Sequence, residues 1–168
     1  RLMGQFLGGT GKIAVVSSAI ASENNNYYVQ VRETEFADFI HKEYPDIEII
    51  TTLDSFEDPQ ITYEKTVKLL RDYQDLQGIY ITCGGVSQVG RALEESGRAK
   101  DIRVISFEDY PEVVDLIRKD VIDCTLAGEL QQQGEIPVQI IMDYLVFGKE
   151  PEQQQIFTDI RVLVKESL

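Results

Sequence analysis

Apolar residues gather in five short continuous runs along the chain: Ile13 to Val16, Ile47 to Thr52, Gly78 to Thr82, Arg103 to Phe107 and Cys124 to Ala127. Turn-forming residues bound them, and they do not alternate apolar with polar as a half-solvated strand does. A strand that reads as a continuous apolar run has both faces buried, which is the mark of a parallel sheet covered on each side. Between the runs the spacing becomes helical. Tyr28 to Tyr44 sets Arg32, Phe36, Phe39 and Ile40 on neighbouring turns, and Thr62 to Tyr73 does the same with Val67, Leu70 and Tyr73. Val86 to Ser96 and Pro111 to Lys119 supply two further helices. Strand and helix alternate without a break, so the fold class is α/β, with a doubly wound parallel sheet and right-handed crossovers.

Local punctuation agrees with this division. Gly8-Gly9-Thr10-Gly11 ends a first helix, Asp58-Pro59 precedes another, and Ser96-Gly97 closes the helix that carries Leu93. The tail departs from the pattern. Gln131 to Pro137 leads into a long helix ending at Gly148-Lys149, and an extended stretch follows from Gln155 to Lys165. Pro137 lacks the N–H that a helix interior needs, so a kink or a late helix start is expected there. Arg1 to Leu7 reads as a helix cut midway, without a start methionine or the apolar core of a signal peptide.

Charge narrows the function classes. With 16 Lys and Arg against 29 Asp and Glu, the formal net charge is −13, which repels a phosphate backbone. The one basic cluster, Arg98 to Arg103, is split by Asp101. Cys83 and Cys124 each sit in an apolar run, where they read as small buried residues; the absence of a disulfide framework favours a reducing, cytoplasmic setting. The longest apolar stretch, Val138 to Phe147, is interrupted by Gln139 and Asp143 and is too short to span a bilayer.

Motifs for catalysis are weak. Leu7 to Ile13 resembles a phosphate loop only in composition, because Ile follows the lysine and the segment precedes a strand instead of following one. Gly84-Gly85-Val86-Ser87-Gln88-Val89-Gly90 does follow a strand and open a helix, but its glycine spacing is not that of a dinucleotide site; the paired glycines fit a close ligand approach or a tight turn. His41, the only histidine, lies beside Lys42 and Glu43 in an amphipathic helix, and no cysteine, histidine and carboxylate set has metal-ligand spacing. No catalytic residue, metal or cofactor is expected.

What remains is geometric. In open α/β sheets the ligand crevice lies outside the carboxyl ends of the strands. Those ends read Ser17-Ser18, Asp54-Ser55, Cys83-Gly84-Gly85, Glu108-Asp109 and Gly128-Glu129, a small and polar rim. A carboxylate such as Glu108 accepts bonds from two hydroxyl groups, and a guanidinium such as Arg32 donates several, which suits a sugar. The same pair also fits a surface salt bridge and an N-cap acid. Tyr27, Tyr28 and Tyr110 lie near these ends as stacking or packing residues.

The order of segments resembles the second half of the ligand-binding domain of LacI-type transcription regulators and ribose-type periplasmic binding proteins. Its landmarks are Gly11-Lys12-Ile13-Ala14-Val15-Val16, Arg32-Glu33-Thr34-Glu35-Phe36, Leu76-Gln77-Gly78-Ile79-Tyr80, Arg91-Ala92-Leu93, Val104-Ile105-Ser106-Phe107-Glu108 and Val121-Ile122-Asp123-Cys124-Thr125. The resemblance implies a type I periplasmic-binding-protein-like fold. Residues 1–10 would form an entry helix and turn and 11–127 the second lobe; 128–168 would be a crossover whose helix and strand complete a first lobe before returning. Arg32 takes the place of that family's sugar-binding arginine and Glu108 that of its aspartate; Ser18, Cys83, Gly84 and Gly128 complete the expected ligand-binding set. The family's asparagine is replaced around Thr82-Cys83-Gly84 and its hinge glutamine by Gly128, and Asn24 to Val31 looks longer than the usual loop. The function implied first is the effector domain of a sugar-responsive regulator, a homodimer reaching DNA only through a separate N-terminal head and having no contact with membrane. The alternative is the sugar-binding component of an ABC transporter. Either way half of the cleft would lie on the other lobe, and the segment from Glu129 onward would be mobile or packed on a neighbour. The isolated chain is therefore expected to bind sugars weakly or not at all, and micromolar binding by calorimetry would contradict this.

Overall fold

The computed structural model describes residues 1–18 and 27–168. After a short helix, Leu2–Phe6 (α1), the chain alternates Thr10–Ser17 (β1), Tyr27–Glu43 (α2), Asp46–Asp54 (β2), Pro59–Asp72 (α3), Leu76–Ile81 (β3), Val86–Ser96 (α4), Arg103–Phe107 (β4), Pro111–Arg118 (α5) and Cys124–Gly128 (β5). A long helix, Leu130–Phe147 (α6), a last strand, Ile160–Val164 (β6), and a 3-10 turn, Lys165–Ser167, complete it. The sheet order is β2-β1-β3-β4-β5-β6; the first five strands are parallel and β6 is antiparallel to β5. The expected doubly wound sheet is present.

Residue-by-residue alternation sorts the strands' side chains between two cores. Ala14, Val16, Ile79, Ile81 and Val104 pack under α3, α4 and α5 with Leu69, Leu70, Val89, Leu93 and Ile117. Ile13, Val15, Tyr80, Ile105, Phe107 and Cys124 face the other way, against Met3 of α1 and Ile40 of α2. Both faces of the parallel strands are thus covered, as their unbroken apolar runs require.

Helix ends use the signals read from the sequence. Asp58 caps α3 by accepting from the Ile61 N–H at 2.9 Å, and Pro59 opens the first turn. Gly97 closes α4 at φ +71°, with its N–H on the Glu94 carbonyl and that of Arg98 on Leu93. Arg98 then caps a different helix. Its guanidinium donates to the carbonyls of Leu70, Tyr73, Gln74 and Leu76 at 2.9 to 3.0 Å, four acceptors at the end of α3 and the start of β3. Arg103 pairs with Asp123 at 2.8 Å. Arg98 and Arg103 of the basic cluster are therefore spent on the protein's own carbonyls and carboxylates.

The tail differs from expectation in two ways. Helix α6 begins at Leu130 and runs through Pro137, so no late start occurs; the missing N–H falls inside the helix, where it leaves the Gln133 carbonyl without its usual donor. Regular extended structure is confined to Ile160–Val164, and that strand hydrogen-bonds along β5, so it belongs to this sheet and not to another lobe. Helix α6 buries none of its residues, and Val138, Ile141, Leu145 and Phe147 are exposed. Among the described residues no helix is long and apolar enough to cross a membrane.

Replacing Arg98 with Ala is expected to cost about 2–4 kcal/mol in denaturant unfolding, because several carbonyls lose a charged donor at once. Arg98→Lys should recover little of it, since an ammonium lacks the planar fork needed to reach four acceptors.

Candidate functional site

The strand order changes direction between β1 and β3, and at such a switch point the loops leaving the two strands part to leave a crevice. The rim there is built from the ends of β2, β1, β3, β4 and β5, with one side chain delivered from α2. That side chain is Arg32. On α2 it shares a face with Val29, Phe36 and Ile40, at helical spacing, and this face turns toward the sheet.

Arg32 lies against β3 and β4. Its Nη1 donates to the Thr82 carbonyl at 3.2 Å, and its guanidinium sits over the Phe107 ring, 4.0 Å from the centroid. The ring is braced in turn: Tyr80 meets Phe107 edge-on at 6.0 Å, and Phe36 stacks on Tyr80 at 3.9 Å. Burial pushes the Tyr80 hydroxyl strongly upward, against a smaller opposing pull from Arg32, so it stays protonated. Arg32 Nη2 lies 3.7 Å from Glu108 Oε1, and the two side chains are 32% and 29% exposed. That separation is an ion pair without a direct hydrogen bond. A ligand hydroxyl can enter it, donating to Glu108 and accepting from Arg32.

A second group lies toward β1 and β2. Ser18 is buried and donates to Glu57 Oε1 at 3.2 Å, while the Cys83 sulfur lies 3.3 Å from the Ser55 hydroxyl and 3.8 Å from the Val16 carbonyl. Cys83 is thus tucked beneath the rim. Burial raises its thiol above the ordinary value, more than hydrogen bonds with Ser55 and Ser18 lower it. Gly84 is exposed, with nothing within 4 Å of where a Cβ would stand. At Gly85, φ is +94° and a Cβ would come within 2.8 Å of Thr62, so this glycine is required by the turn.

Gly128 lies farther along the rim. A Cβ there would meet Gln133 at 2.6 Å, and Arg161 of β6 bridges Glu129 at 2.7 Å and Asp109 at 3.3 Å beside it. Tyr27, Tyr28 and Tyr110 are all exposed, Tyr27 and Tyr28 touching edge to face at 5.7 Å. Of the segment expected as a long loop, Tyr27 to Val31 is the first part of α2, and Asn24 to Asn26 lie outside the described residues.

Phe56 carries no mark in the sequence of a place on the rim. It stands in the turn after β2, where Phe56 and Glu57 take φ of +52° and +54°, an uncommon pair of left-handed residues. The turn is held by Phe56 N–H on Asp54 Oδ1 at 3.0 Å and Glu57 N–H on Ser55 Oγ at 3.2 Å. It leaves the Phe56 ring 54% exposed on the rim, with Lys65 Nζ 4.5 Å from the ring centroid. The only available signal was the Asp-Ser beginning of the turn, which does not disclose the backbone twist. Phe107 was read as part of a buried run, and its role as a bed for Arg32 was not foreseen.

The lobe is thus an open α/β sheet whose polar rim surrounds a switch point, with an arginine and a carboxylate held apart across it. A family model described as a periplasmic binding protein domain matches residues 1–150, and the chain belongs to that family. Members bind solutes without transforming them, and this chain is not an enzyme. Among solved structures it is similar to GanP, a glucose-galactose binding protein from Geobacillus stearothermophilus, at 21% identity and a TM-score of 0.87 over 100% of this chain and 58% of that one. A sugar-binding protein of a sugar ABC transporter from Bacillus halodurans matches at 27% identity and 0.82, over 98% and 58%. An ABC transporter solute-binding protein from Agrobacterium vitis, with D-fucose bound, matches at 24% and 0.85, over 98% and 55%. The chain spans about 58% of the length of the first of these structures. A comparison with curated proteins finds no match. The regulator, homodimer and DNA expectations draw no support from these likenesses.

The Cys83 thiol is raised by burial and that of Cys124, also buried, is pushed up to about 12. Both should react with a thiol reagent at pH 8 far more slowly in the folded protein than after unfolding in guanidinium. Rapid stoichiometric labelling of the native protein would contradict the buried placement of Cys83.

Proposed function

We propose that this chain is one lobe of a sugar receptor that serves an ABC transporter. The observation that carries the reading is the Arg32–Glu108 pair, set 3.7 Å apart across the switch point. A fixed donor and a fixed acceptor at that spacing match the vicinal hydroxyls of a sugar ring. The Phe56 ring offers an apolar face for stacking against a sugar's C–H face. Asp54, Glu57, Glu108, Asp109 and Glu129 outnumber Arg32, Lys65 and Arg161 around the rim, which favours a neutral ligand over a sugar phosphate.

The regulator reading shares the same lobe, and the solved structures described above tip the balance toward transport. In this reading the lobe works outside the cytoplasm, contrary to the setting expected from its cysteines. Two buried free thiols, Cys83 and Cys124, weigh little on that question because neither is available to pair. Residues 11–127 then form one wall of the cleft, Gly128 and Glu129 mark a crossing, and ligand favours a closed arrangement of two walls.

The experiment is calorimetry on the full-length protein with D-glucose, D-galactose, L-arabinose and D-fucose. We expect at least one to bind in the micromolar range or tighter. Arg32→Ala should weaken it by about 10- to 100-fold through the loss of charge-assisted hydrogen bonds. Failure of all four, with stabilisation by nucleotides or sugar phosphates instead, would refute the reading.

A further inference from the structure

Glu108 carries its carboxylate on an unusual backbone. Its φ is +70°, the left-handed region that disfavours any residue with a Cβ, so something must hold it there. Both of its backbone polar groups are fixed by β5. The N–H donates to the Leu126 carbonyl at 3.0 Å, which continues the pairing of Phe107 with Leu126 in the sheet. The carbonyl accepts from the Thr125 hydroxyl at 2.6 Å. The first bond is made by backbone and is available to any residue; the second depends on the side chain at position 125.

Thr125 is fully buried, and its branched Cβ restricts where the hydroxyl can point. The bond from that hydroxyl fixes the direction of the Glu108 carbonyl, and with it the side from which the carboxylate leaves the chain. We propose that Thr125 is a positioning residue of the sugar site: it selects the left-handed conformation of Glu108 and so aims the carboxylate at Arg32. Thr125 itself touches no ligand. The inference rests on the sugar reading above for its consequence in binding, but not for its effect on Glu108.

Two variants separate positioning from packing. Thr125→Val keeps the branched volume and removes the hydroxyl, whereas Thr125→Ser keeps the hydroxyl and removes a methyl. The readouts, on the full-length protein, are the Tm, the affinity for whichever of the four sugars the parent protein binds, and the carboxylate carbon signal of Glu108 by NMR without ligand. If Thr125 positions Glu108, T125V weakens sugar binding by about tenfold and displaces the Glu108 signal, while T125S stays within about twofold of the parent. If Thr125 only packs, T125S is the weaker variant and T125V binds normally, and the proposal falls. Should the parent bind none of the sugars, displacement of the Glu108 signal in T125V alone sinks the sugar reading and keeps the positioning role; an unmoved signal sinks the positioning role. Thr125→Ala, with the same expectation as T125V, replaces it if the valine variant fails to fold.

Discussion

Parallel strands buried on both faces leave only their ends for contact with a ligand, and the rest of this molecule follows from that constraint. Ile13 and Val15 are committed to one core and Ala14 and Val16 to the other, so β1 has no free face to offer. Its function is pushed to Ser17 and Ser18, where the strand stops. The same holds for β3, which yields to Thr82 and Cys83, and for β4, which yields to Glu108. The core is thus also the device that places polar groups: strand lengths and register decide where each one stands.

Within that frame the site is held ready. Arg32 is steadied from below by Phe107 and from the side by the Thr82 carbonyl, without a close partner for its full hydrogen-bonding capacity. An exposed or half-exposed ion pair contributes little to stability, on the order of 1 kcal/mol or less, so separating it for a ligand costs little. The aromatic stack of Phe36, Tyr80 and Phe107 supplies the rigidity that the ion pair does not. A ligand at this rim would require little rearrangement of the wall that carries Arg32 and Glu108.

Most of the architecture was legible in the sequence because burial on both faces leaves a plain mark. Ile13 to Val16 cannot be read as an alternating strand, and Asp58-Pro59 and Ser96-Gly97 announce helix ends through local hydrogen bonding alone. Glu108 is legible as a strand end and Arg32 through the family resemblance, and the structure brings them together. Three things were not legible. Pro137 suggests a kink or a late helix start, but α6 starts at Leu130, because one missing hydrogen bond does not stop an 18-residue helix whose other turns are intact. Phe56 owes its exposure to two consecutive left-handed residues, held by local bonds to the Asp54 and Ser55 side chains and by the longer reach of Ser18 to Glu57. The capping role of Arg98 is invisible in the sequence because nothing in its spacing reveals that the end of one helix will lie beside the cap of another. The choice between regulator and transporter component was hidden for a different reason: both use the same lobe.

Strand β6 has a bearing on how such a chain is made. The outer edge of β5 is a row of unpaired backbone groups until Ile160 to Val164 arrive, and the whole of α6 is synthesised in between. A nascent chain emerging from the ribosome would therefore hold a nearly finished parallel sheet with one adhesive border. That border invites pairing with other chains, and a delay in translation past Phe147 would lengthen the invitation. Arg161, opposite Ala127 and bridging Asp109 and Glu129, is paired only in the register in which β6 closes that border.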